Sequence, residues 1–224
     1  MQSGLRVAVD LDGTVADLSK AMHAVATRRM VKEAEAAGED APDPQERPKL
    51  RDLSLSPRQL DALWSAVLKI KNFWTTLDEM ESGAVARLAA LAAERRWDVL
   101  FITTRPMAAG DTTQVQSQAW LEAHGFPRPS VYVVKGSRGR IADALQLDAV
   151  IDDRPENCFD VAVESSARAF LVWPGTHDDL PPGAMRHGVK VVPSITAALD
   201  ALVELDRARS GGMGRSIRRL FGRG

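Results

Sequence analysis

The sequence predicts an α/β fold, in which helices flank a parallel β-sheet and a helical insertion interrupts the order of strands. The prediction depends on short apolar segments that end in polar residues, and on helical segments between them. Strands that are apolar throughout are typical of parallel sheets buried on both faces. The alternation of strand and helix from residue 99 onward favours right-handed parallel crossovers.

The first predicted strand, Leu5–Val9, leads directly into Asp10-Leu11-Asp12-Gly13-Thr14. Open α/β sheets bind their ligands at the carboxyl ends of strands, which is where both acids would lie. One carboxylate and a carbonyl can hold a hard cation, and the other carboxylate is then available for separate chemistry. A surface turn is the alternative interpretation, because Asp and Gly are common turn residues.

Helical segments make up most of residues 15–96, which we predict to be an insertion. Apolar spacing and the capping pair Ser56-Pro57 predict three helices: Val15–Ala37, one that begins at Ser56-Pro57, and Gly83–Arg95. The proline-rich stretch Gly38–Lys49 is expected to be a loop.

The remaining chain predicts the core of the sheet, with residues 1–14 and 97–210 as one α/β unit. Five further strands are expected, at Trp97–Thr103, Val131–Val134, Ala149–Ile151, Ala169–Val172 and Val189–Val192. Three helices are expected, at Thr113–His124, Arg140–Leu145 and Ile195–Arg207. Residues 211–224 are basic and rich in glycine, which predicts a flexible tail, with an amphipathic membrane or partner contact as the alternative.

Four strands end in polar tips that a parallel sheet would bring to one edge. In chain order these tips are Asp10 and Asp12, Thr103 and Thr104, Lys135, and Asp152 and Asp153. Together they suit phosphoryl transfer, with Asp10 as nucleophile and Asp12 as general acid and base. Magnesium held by Asp10, the Asp12 carbonyl, Asp152 and Asp153 would offset the repulsion between phosphate and carboxylates. A threonine hydroxyl and Lys135 would bind phosphoryl oxygens.

Several roles stay open at this level. Either Thr103 or Thr104 can meet the phosphate, and Thr103 is favoured because it directly ends the apolar run. Arg138 or Arg140 could share or replace the role of Lys135. Arg105 could shape the phosphate loop or pair with an acidic neighbour.

The four tips resemble the four motifs of the haloacid dehalogenase superfamily, over residues 5–205. The resemblance implies a Rossmann-like core, magnesium dependence and, because two acids are present in the first motif, the phosphatase branch. It also implies that residues 15–96 form a cap that selects a small substrate and excludes water.

Phe73-Trp74 and the run Ile151–Asn157 are similar to the deoxyribonucleotidase-like members of that superfamily. An aromatic pair near the cleft could stack a nucleobase, although Phe73 and Trp74 could equally pack cap on core. We therefore expect a 5′-nucleotidase acting on nucleoside monophosphates. The alternatives are a phosphatase for a phosphosugar or phosphoglycolate, and a non-catalytic protein that binds a nucleotide or a partner.

Composition narrows the partners and the compartment. The 224 residues have a formal net charge of −1, which argues against nucleic acid or a membrane surface as partner. The single cysteine fits a reducing compartment, and no apolar run is long enough to span a membrane. We expect a cytoplasmic monomer or homodimer whose partner is a small phosphomonoester.

Overall fold

The computed structural model describes residues 4–37, 55–175, 180 and 188–221, with side chains for all of these except 29–37 and 210–221. The loop predicted over Gly38–Lys49 lies outside the described residues. The strands are β1 (Arg6–Asp10), β2 (Asp98–Thr103), β3 (Ser130–Val133), β4 (Ala149–Asp152), β5 (Arg168–Val172) and β6 (Lys190–Val192). The helices are α1 (Leu18–Ala37), α2 (Pro57–Val67), α3 (Ala84–Arg95), α4 (Thr113–Ala123), α5 (Arg138–Ala144), α6 (Pro155–Glu164) and α7 (Ile195–Phe221), with a 3₁₀ turn at Phe73–Thr75.

The strands form one sheet in the order β3-β2-β1-β4-β5-β6, and every neighbouring pair is parallel. The predicted α/β, Rossmann-like class is therefore confirmed. The chain builds outward from β1 to β3 in one direction and from β4 to β6 in the other. The strand order thus reverses between β1 and β4, which is the position where such sheets bind ligands.

The sheet is buried on both faces, as the apolar strands predict. Val7 and Val9 point into one core, and Ala8 points into the other. The first core contains residues of α3, α4 and α7 together with residues of α1 and α2. The second lies under α5 and α6. Side chains alternate along a strand, so the two cores fix the register of β1.

The predicted insertion, residues 15–96, contains α1, α2, the 3₁₀ turn and α3. Helix α3 packs against α7 at the face of the sheet, where Arg87 pairs with Asp200 at 2.6 Å and Arg95 pairs with Asp206 at 3.3 Å. An isolated bridge outside the sheet joins Ala16 and Glu79, near the two ends of the segment that carries α1 and α2. That α1 and α2 act as a cap stays a prediction.

Helix ends follow local chemistry in several places. Ser56 caps α2 by accepting a hydrogen bond from the Gln59 amide, and Pro57 is the first helical residue, as predicted. Helix α6 was not predicted, although Pro155 at its first position and Glu156 in its first turn are typical of a helix start. Helix α7 continues beyond the predicted end at Arg207 to Phe221, into the segment predicted as a tail. The last residues, 222–224, lie outside the described part.

Strand β3 lies at one edge of the sheet, and side chains of α4 cover part of it. The Val134 amide donates to the Thr103 carbonyl at 2.9 Å, so alternate residues place the Val131 and Pro129 carbonyls on the outer edge. Two glutamines of α4 satisfy them: Gln114 Nε2 donates to Val131 O at 3.1 Å, and Gln118 Nε2 donates to Pro129 O at 3.2 Å.

Within the described ranges, no helix is both long enough and apolar enough to cross a bilayer.

Candidate active site

The reversal between β1 and β4 brings the first and fourth predicted motifs together. Asp10 is the last residue of β1 and Asp152 is the last residue of β4, and the two strands are hydrogen-bonded neighbours. Thr103 ends β2 on the other side of β1. Three of the four polar tips therefore lie at one edge of the sheet.

Asp10 is buried beside a guanidinium. Arg138 Nη2 donates to Asp10 Oδ1 at 3.0 Å. Burial is the largest cause that raises the pKa of Asp10 well above its usual range, the Asp152 carboxylate raises it further, and Arg138 lowers it. One guanidinium therefore does not offset the negative charge that gathers around Asp10, and a further cation would favour its ionised form.

Arg138 is the cation that reaches this cluster, among the three that the sequence left open. Its Nε lies 3.6 Å from Asp152 Oδ2, so the guanidinium spans Asp10 and Asp152. Among the described residues, Nε and Nη1 of Arg138 are buried without a hydrogen-bond partner. Lys135 and Arg140, by contrast, are exposed.

The start of α5 places Arg138. Ser137 caps the helix by accepting a hydrogen bond from the Gly139 amide at 3.1 Å, and its hydroxyl also donates to Glu164 of α6. Gly139 allows α5 to lie close against α6, because a Cβ there would be 2.1 Å from the Asp160 carbonyl oxygen. Arg138 is therefore held in place by a tight contact between two helices.

Asp12 pairs with a different guanidinium. Arg105 Nε donates to both carboxylate oxygens of Asp12, at 3.0 and 2.9 Å, and Nη2 donates to Oδ1 at 2.7 Å. Of the two roles left open for Arg105, the structure shows pairing with an acid. Asp10 and Asp12, two residues apart in sequence, thus each have their own arginine.

The two acids at the end of β4, Asp152 and Asp153, have different surroundings. Asp152 accepts hydrogen bonds from the Arg154 amide at 2.9 Å and from Asn157 Nδ2 at 3.0 and 2.9 Å. In the described part of the chain, the buried Oδ1 of Asp153 has no hydrogen-bond partner. Burial, as the largest cause, and the neighbouring Asp152 carboxylate raise the pKa of Asp153 to about 7. Asp153 is thus the acid of the pair with a buried oxygen available to a ligand.

The carboxylates fit a divalent cation whose shell other oxygens complete. Within the described ranges, no three acidic, histidine or cysteine side chains form a cation site by themselves. Mg²⁺ commonly binds one or two carboxylates and takes its other ligands from water and substrate phosphate. Gly13, with φ of +86°, brings the loop after β1 against Asp153, since a Cβ there would lie 2.2 Å from Asp153 Oδ2. Asp10, Asp153 and the Asp12 carbonyl are suitable donors.

Two threonines end the second motif, and they differ in exposure. Thr103 is 1% exposed, and its hydroxyl accepts a hydrogen bond from the Arg105 amide at 3.3 Å. Thr104 is exposed at the end of the sheet. The hydroxyl of Thr104 is therefore the more accessible of the two to a substrate.

Phe73 and Trp74, the candidate stacking pair, are 1% and 0% exposed. Their rings meet edge to face with centroids 5.1 Å apart, and Trp74 Nε1 donates to the Pro106 carbonyl at 3.1 Å. Neither ring offers an open face in this conformation, which supports the packing alternative. Stacking on a nucleobase stays a prediction.

Sequence reasoning did not identify the supporting roles of three residues: Ser117, Trp120, and Asn157 as a hydrogen-bond donor to Asp152. Ser117 and Trp120 are three apart on α4, so they share a face, and both are fully buried there. Their spacing in the sequence was the signal that could have placed both residues on the buried face of α4. Asn157 lies on α6, whose first turn brings its amide back to Asp152, and the helix itself was not predicted.

The sequence model of a known family covers most of this chain. The family described as “5' nucleotidase, deoxy (Pyrimidine), cytosolic type C protein” matches residues 4–168, a range that includes all four polar tips. The comparison with curated proteins gave no match.

The comparison with solved structures gave matches at low sequence identity. A HAD family hydrolase from Deinococcus radiodurans, crystallised with bound phosphate and sodium, is 17% identical, with 89% of this chain and 95% of that chain covered and a TM-score of 0.50. A haloacid dehalogenase-like family hydrolase from Streptococcus pneumoniae is 14% identical, with 90% and 99% covered and a TM-score of 0.47.

Proposed function

Because the chain belongs to the family of cytosolic type C 5′(deoxy)nucleotidases, we propose that it is a magnesium-dependent phosphomonoesterase that acts through an aspartyl-phosphate. The expected membership of the haloacid dehalogenase superfamily, and the expectation of a hydrolase of that type, are confirmed by this match and by the fold. The magnesium, the intermediate and the substrate are the parts that we propose.

The observation that supports the mechanism best is the surroundings of Asp10. It ends β1 at the reversal of the strand order, Arg138 contacts its Oδ1, and Asp152 and Asp153 lie beside it. A buried carboxylate at that point, with a guanidinium on one oxygen, can present its other oxygen to a phosphate. Arg138 would stabilise the charge that develops on the phosphoryl oxygens.

Two half-reactions follow from these positions. In the first, an oxygen of Asp10 bonds to phosphorus, the bond between phosphorus and the ester oxygen breaks, and Asp12 gives a proton to the leaving alcohol. In the second, Asp12 takes a proton from water, the water oxygen bonds to phosphorus, and the bond to Asp10 breaks. Inorganic phosphate leaves and both carboxylates return to their initial state.

The magnesium ion would be held by Asp10, Asp153 and the main-chain carbonyl of Asp12. Asp152 would add negative charge next to the ion without being one of these three ligands. When bound, the ion would offset the repulsion between the substrate phosphate and these carboxylates. Thr104, or Thr103, would bind a phosphoryl oxygen. Lys135 is exposed, so its predicted phosphate contact would be made at the surface of the site.

Nucleoside monophosphates are the substrates that we propose, on the basis of the family. The buried state of Trp74 removes the independent argument for a nucleobase pocket, so a phosphatase for another small phosphomonoester stays the second candidate. A small substrate without nucleic acid or membrane as partner, a monomeric or homodimeric state, and a cytoplasmic location all stay predictions.

The test is phosphate release from a panel of phosphomonoesters, with magnesium and with chelator. The panel includes deoxy- and ribonucleotides, sugar phosphates and phosphoglycolate. Magnesium-dependent release that is fastest with nucleotides would support the whole proposal. Fastest release from another metabolite would keep the mechanism and overturn the substrate class.

The matched variant is Asp10→Asn, which keeps the size of the side chain and removes the nucleophile. We expect it to abolish turnover and to prevent covalent labelling of the protein by a phosphate-labelled substrate. Labelling that persists in Asp10→Asn would assign the intermediate to another residue. A folded wild-type protein that releases no phosphate from any member of the panel would favour the non-catalytic alternative.

A further inference from the structure

Arg105 has a fully buried side chain that forms an ion pair with the partly exposed Asp12. Its side chain is 0% exposed and that of Asp12 is 18% exposed. The loop that follows β2 carries it, and its main-chain amide is fixed by the Thr103 hydroxyl. Three of its contacts go to the two oxygens of Asp12, as described above. The guanidinium therefore meets the Asp12 carboxylate with two of its nitrogens, on the side away from solvent.

Two tryptophans and a serine hold the guanidinium in this orientation. Its central carbon lies 4.9 Å from the ring centroid of Trp74 and 6.0 Å from that of Trp120, and both rings are fully buried. Nη1 donates to Ser117 Oγ at 2.9 Å. Aromatic faces attract guanidinium groups, and a planar group between buried rings has little freedom to rotate. Ser117 and Trp120 come from α4, whereas Trp74 comes from the 3₁₀ turn.

The tryptophans are themselves anchored by hydrogen bonds to main-chain carbonyls. Trp74 Nε1 donates to Pro106 O at 3.1 Å, and Trp120 Nε1 donates to Leu77 O at 2.7 Å. The Trp74 amide donates to Gln116 Oε1 at 3.1 Å, which ties the 3₁₀ turn to α4. A chain of fixed groups therefore extends from α4 to the Asp12 carboxylate.

We propose that Arg105 is a positioning residue, which holds the Asp12 carboxylate in the one orientation required for its proton transfers. This inference rests on the proposed function. Arg105 is buried behind Asp12 and is not placed to touch the substrate, so it would act through Asp12. Proton transfer needs the donor and acceptor atoms within hydrogen-bond reach and correctly aimed. A guanidinium that contacts both carboxylate oxygens fixes their plane, which a single contact does not.

Arg138 and Arg105 thus have different roles. Arg138 contacts one oxygen of Asp10 and leaves the other for phosphorus, whereas Arg105 contacts both oxygens of Asp12. Asp10 needs a free oxygen to attack phosphorus, whereas Asp12 needs a fixed direction and one free lone pair for the proton. A carboxylate has about four lone-pair sites, and Arg105 makes three contacts to Asp12, so one site is left.

The test compares Arg105→Met, Arg105→Lys, Asp12→Asn and the double variant Asp12→Asn/Arg105→Met, on the full chain with magnesium and the best substrate of the panel. Methionine fills the apolar space between the tryptophans, and lysine keeps the charge without the planar fork. General acid–base catalysis contributes about 10²–10⁴-fold. We expect Arg105→Met to lower kcat about 100-fold, with KM changed less than about threefold.

The double variant separates positioning from a structural role. If Arg105 acts only through Asp12, its replacement in the Asp12→Asn background should lower kcat less than about threefold further, because the group that it positions is already lost. We expect Arg105→Lys to fold and to stay well below wild-type kcat. The control is Arg95→Met, which removes a partly buried arginine–aspartate pair between α3 and α7 and should keep kcat near wild type.

Several results would overturn the proposal. Equal losses from Arg105→Met in both backgrounds would assign it a general structural role. Full activity of Arg105→Lys would show that charge, and not the fork, is what matters, and a rise in kcat for Arg105→Met would show that Arg105 restrains Asp12. If Arg105→Met does not fold, a further double variant, Asp12→Asn/Arg105→Lys, is compared with Asp12→Asn, and the loss from Arg105→Lys in the two backgrounds decides in the same way. Absence of turnover in the wild type would refute the proposed function itself. The wild type is measured first, so this failure is distinguished from a failure of the Arg105 proposal.

Discussion

Arg138 and Lys135 are three residues apart, yet only Arg138 contacts Asp10 within the described part of the chain. We therefore expect Arg138→Met to lower kcat at least about 100-fold, because charge stabilisation at a reacting phosphate is usually a large contribution. Lys135→Met should change kcat/KM by less than about tenfold, since its side chain is exposed and solvent screens the charge. Steady-state kinetics with one substrate measure both.

The exposed Arg140 provides the control. Its Nε lies 3.5 Å from Glu164 Oε1, and its ion pair is with Glu164 and not with Asp10. Arg140→Met should behave like wild type. A larger loss in Lys135→Met than in Arg138→Met would return the third-motif role to Lys135.

The two threonines of the second motif give a second prediction at this scale. Thr104 is exposed, whereas the Thr103 hydroxyl is buried and accepts a hydrogen bond from the Arg105 amide. We expect Thr104→Val to lower kcat/KM about tenfold or more, and Thr103→Val to have its main effect on stability. Kinetics together with thermal unfolding of both variants measure the difference. A loss of kcat/KM confined to Thr103→Val would favour Thr103, as the sequence did.

At the scale of single residues, the acids were predictable and their cations were not. Asp10, Asp12 and Asp152 were placed by the rule that buried strands deliver polar residues to one edge. The choice among Lys135, Arg138 and Arg140 depends on where a helix begins. Helix α5 begins at Arg138 and not at the predicted Arg140, and two residues of shift change which side chain reaches Asp10. Helix ends are commonly uncertain by this amount.

At the scale of elements, the 3₁₀ turn packs onto α4 through Trp74. Replacing a buried tryptophan by alanine leaves a cavity and typically costs about 3–5 kcal/mol in the free energy of unfolding. We expect Trp74→Ala to show a loss of this size by denaturant unfolding. We also expect kcat/KM to fall by the same factor for nucleotides and for a minimal aryl phosphate, because the ring is buried among protein groups.

The conservative comparison is Trp74→Phe, which keeps a smaller aromatic ring and loses the hydrogen bond to Pro106. It should lie between wild type and alanine in stability. A rise in KM for nucleotides only, without loss of stability, would support stacking on the base.

Elements with strong periodicity were predicted well, and those set by tertiary contacts were not. The apolar runs identified all six strands of the sheet to within a few residues. Helix α6 was missed because its predicted neighbour, the fourth strand, ends in two acids that resemble a turn before Arg154-Pro155. Its Val161 and Cys158 are buried against the sheet, so packing stabilises a helix that local sequence signals weakly.

At the scale of the whole molecule, the acidic cluster couples stability to pH and to divalent cations. The pKa of Asp153 is raised to about 7 and those of Asp10 and Asp152 are also raised. Between about pH 4 and pH 7 the folded protein therefore binds more protons than the unfolded chain does. Without a cation, these groups make the free energy of unfolding fall as pH rises through that window.

A cation that binds the ionised carboxylates should oppose this loss. We expect magnesium to raise the Tm more at about pH 8 than at about pH 5, relative to chelator, in thermal unfolding at both pH values. Asp153→Asn should reduce the difference, and Asp111→Asn, a change on the exposed loop before α4, should not. An equal Tm increase at both pH values would contradict a cation site built on these carboxylates.

The topology of the molecule followed from the strand–helix rhythm, but the architecture of residues 15–96 did not. Apolar spacing predicts helices there, and it does not say which of them lie against the sheet. Helix α3 does so through Ala84, Val85 and Leu88, which are buried in one core with residues of α7, and Arg87 and Arg95 meet Asp200 and Asp206 beside that contact. These partners are more than a hundred residues away in sequence, so local patterns carry no information about them.

The glutamines of α4 have a consequence for how this protein behaves among its own copies. An edge strand with free carbonyl groups is a template on which another chain can add a strand. Gln114 and Gln118 occupy the outward carbonyls of Val131 in β3 and of Pro129 directly before it, with side-chain amides of the same molecule. Recruitment of a second chain along that stretch would have to displace both amides first. The same glutamines that complete the hydrogen bonding of the sheet therefore oppose its uncontrolled growth at high concentration.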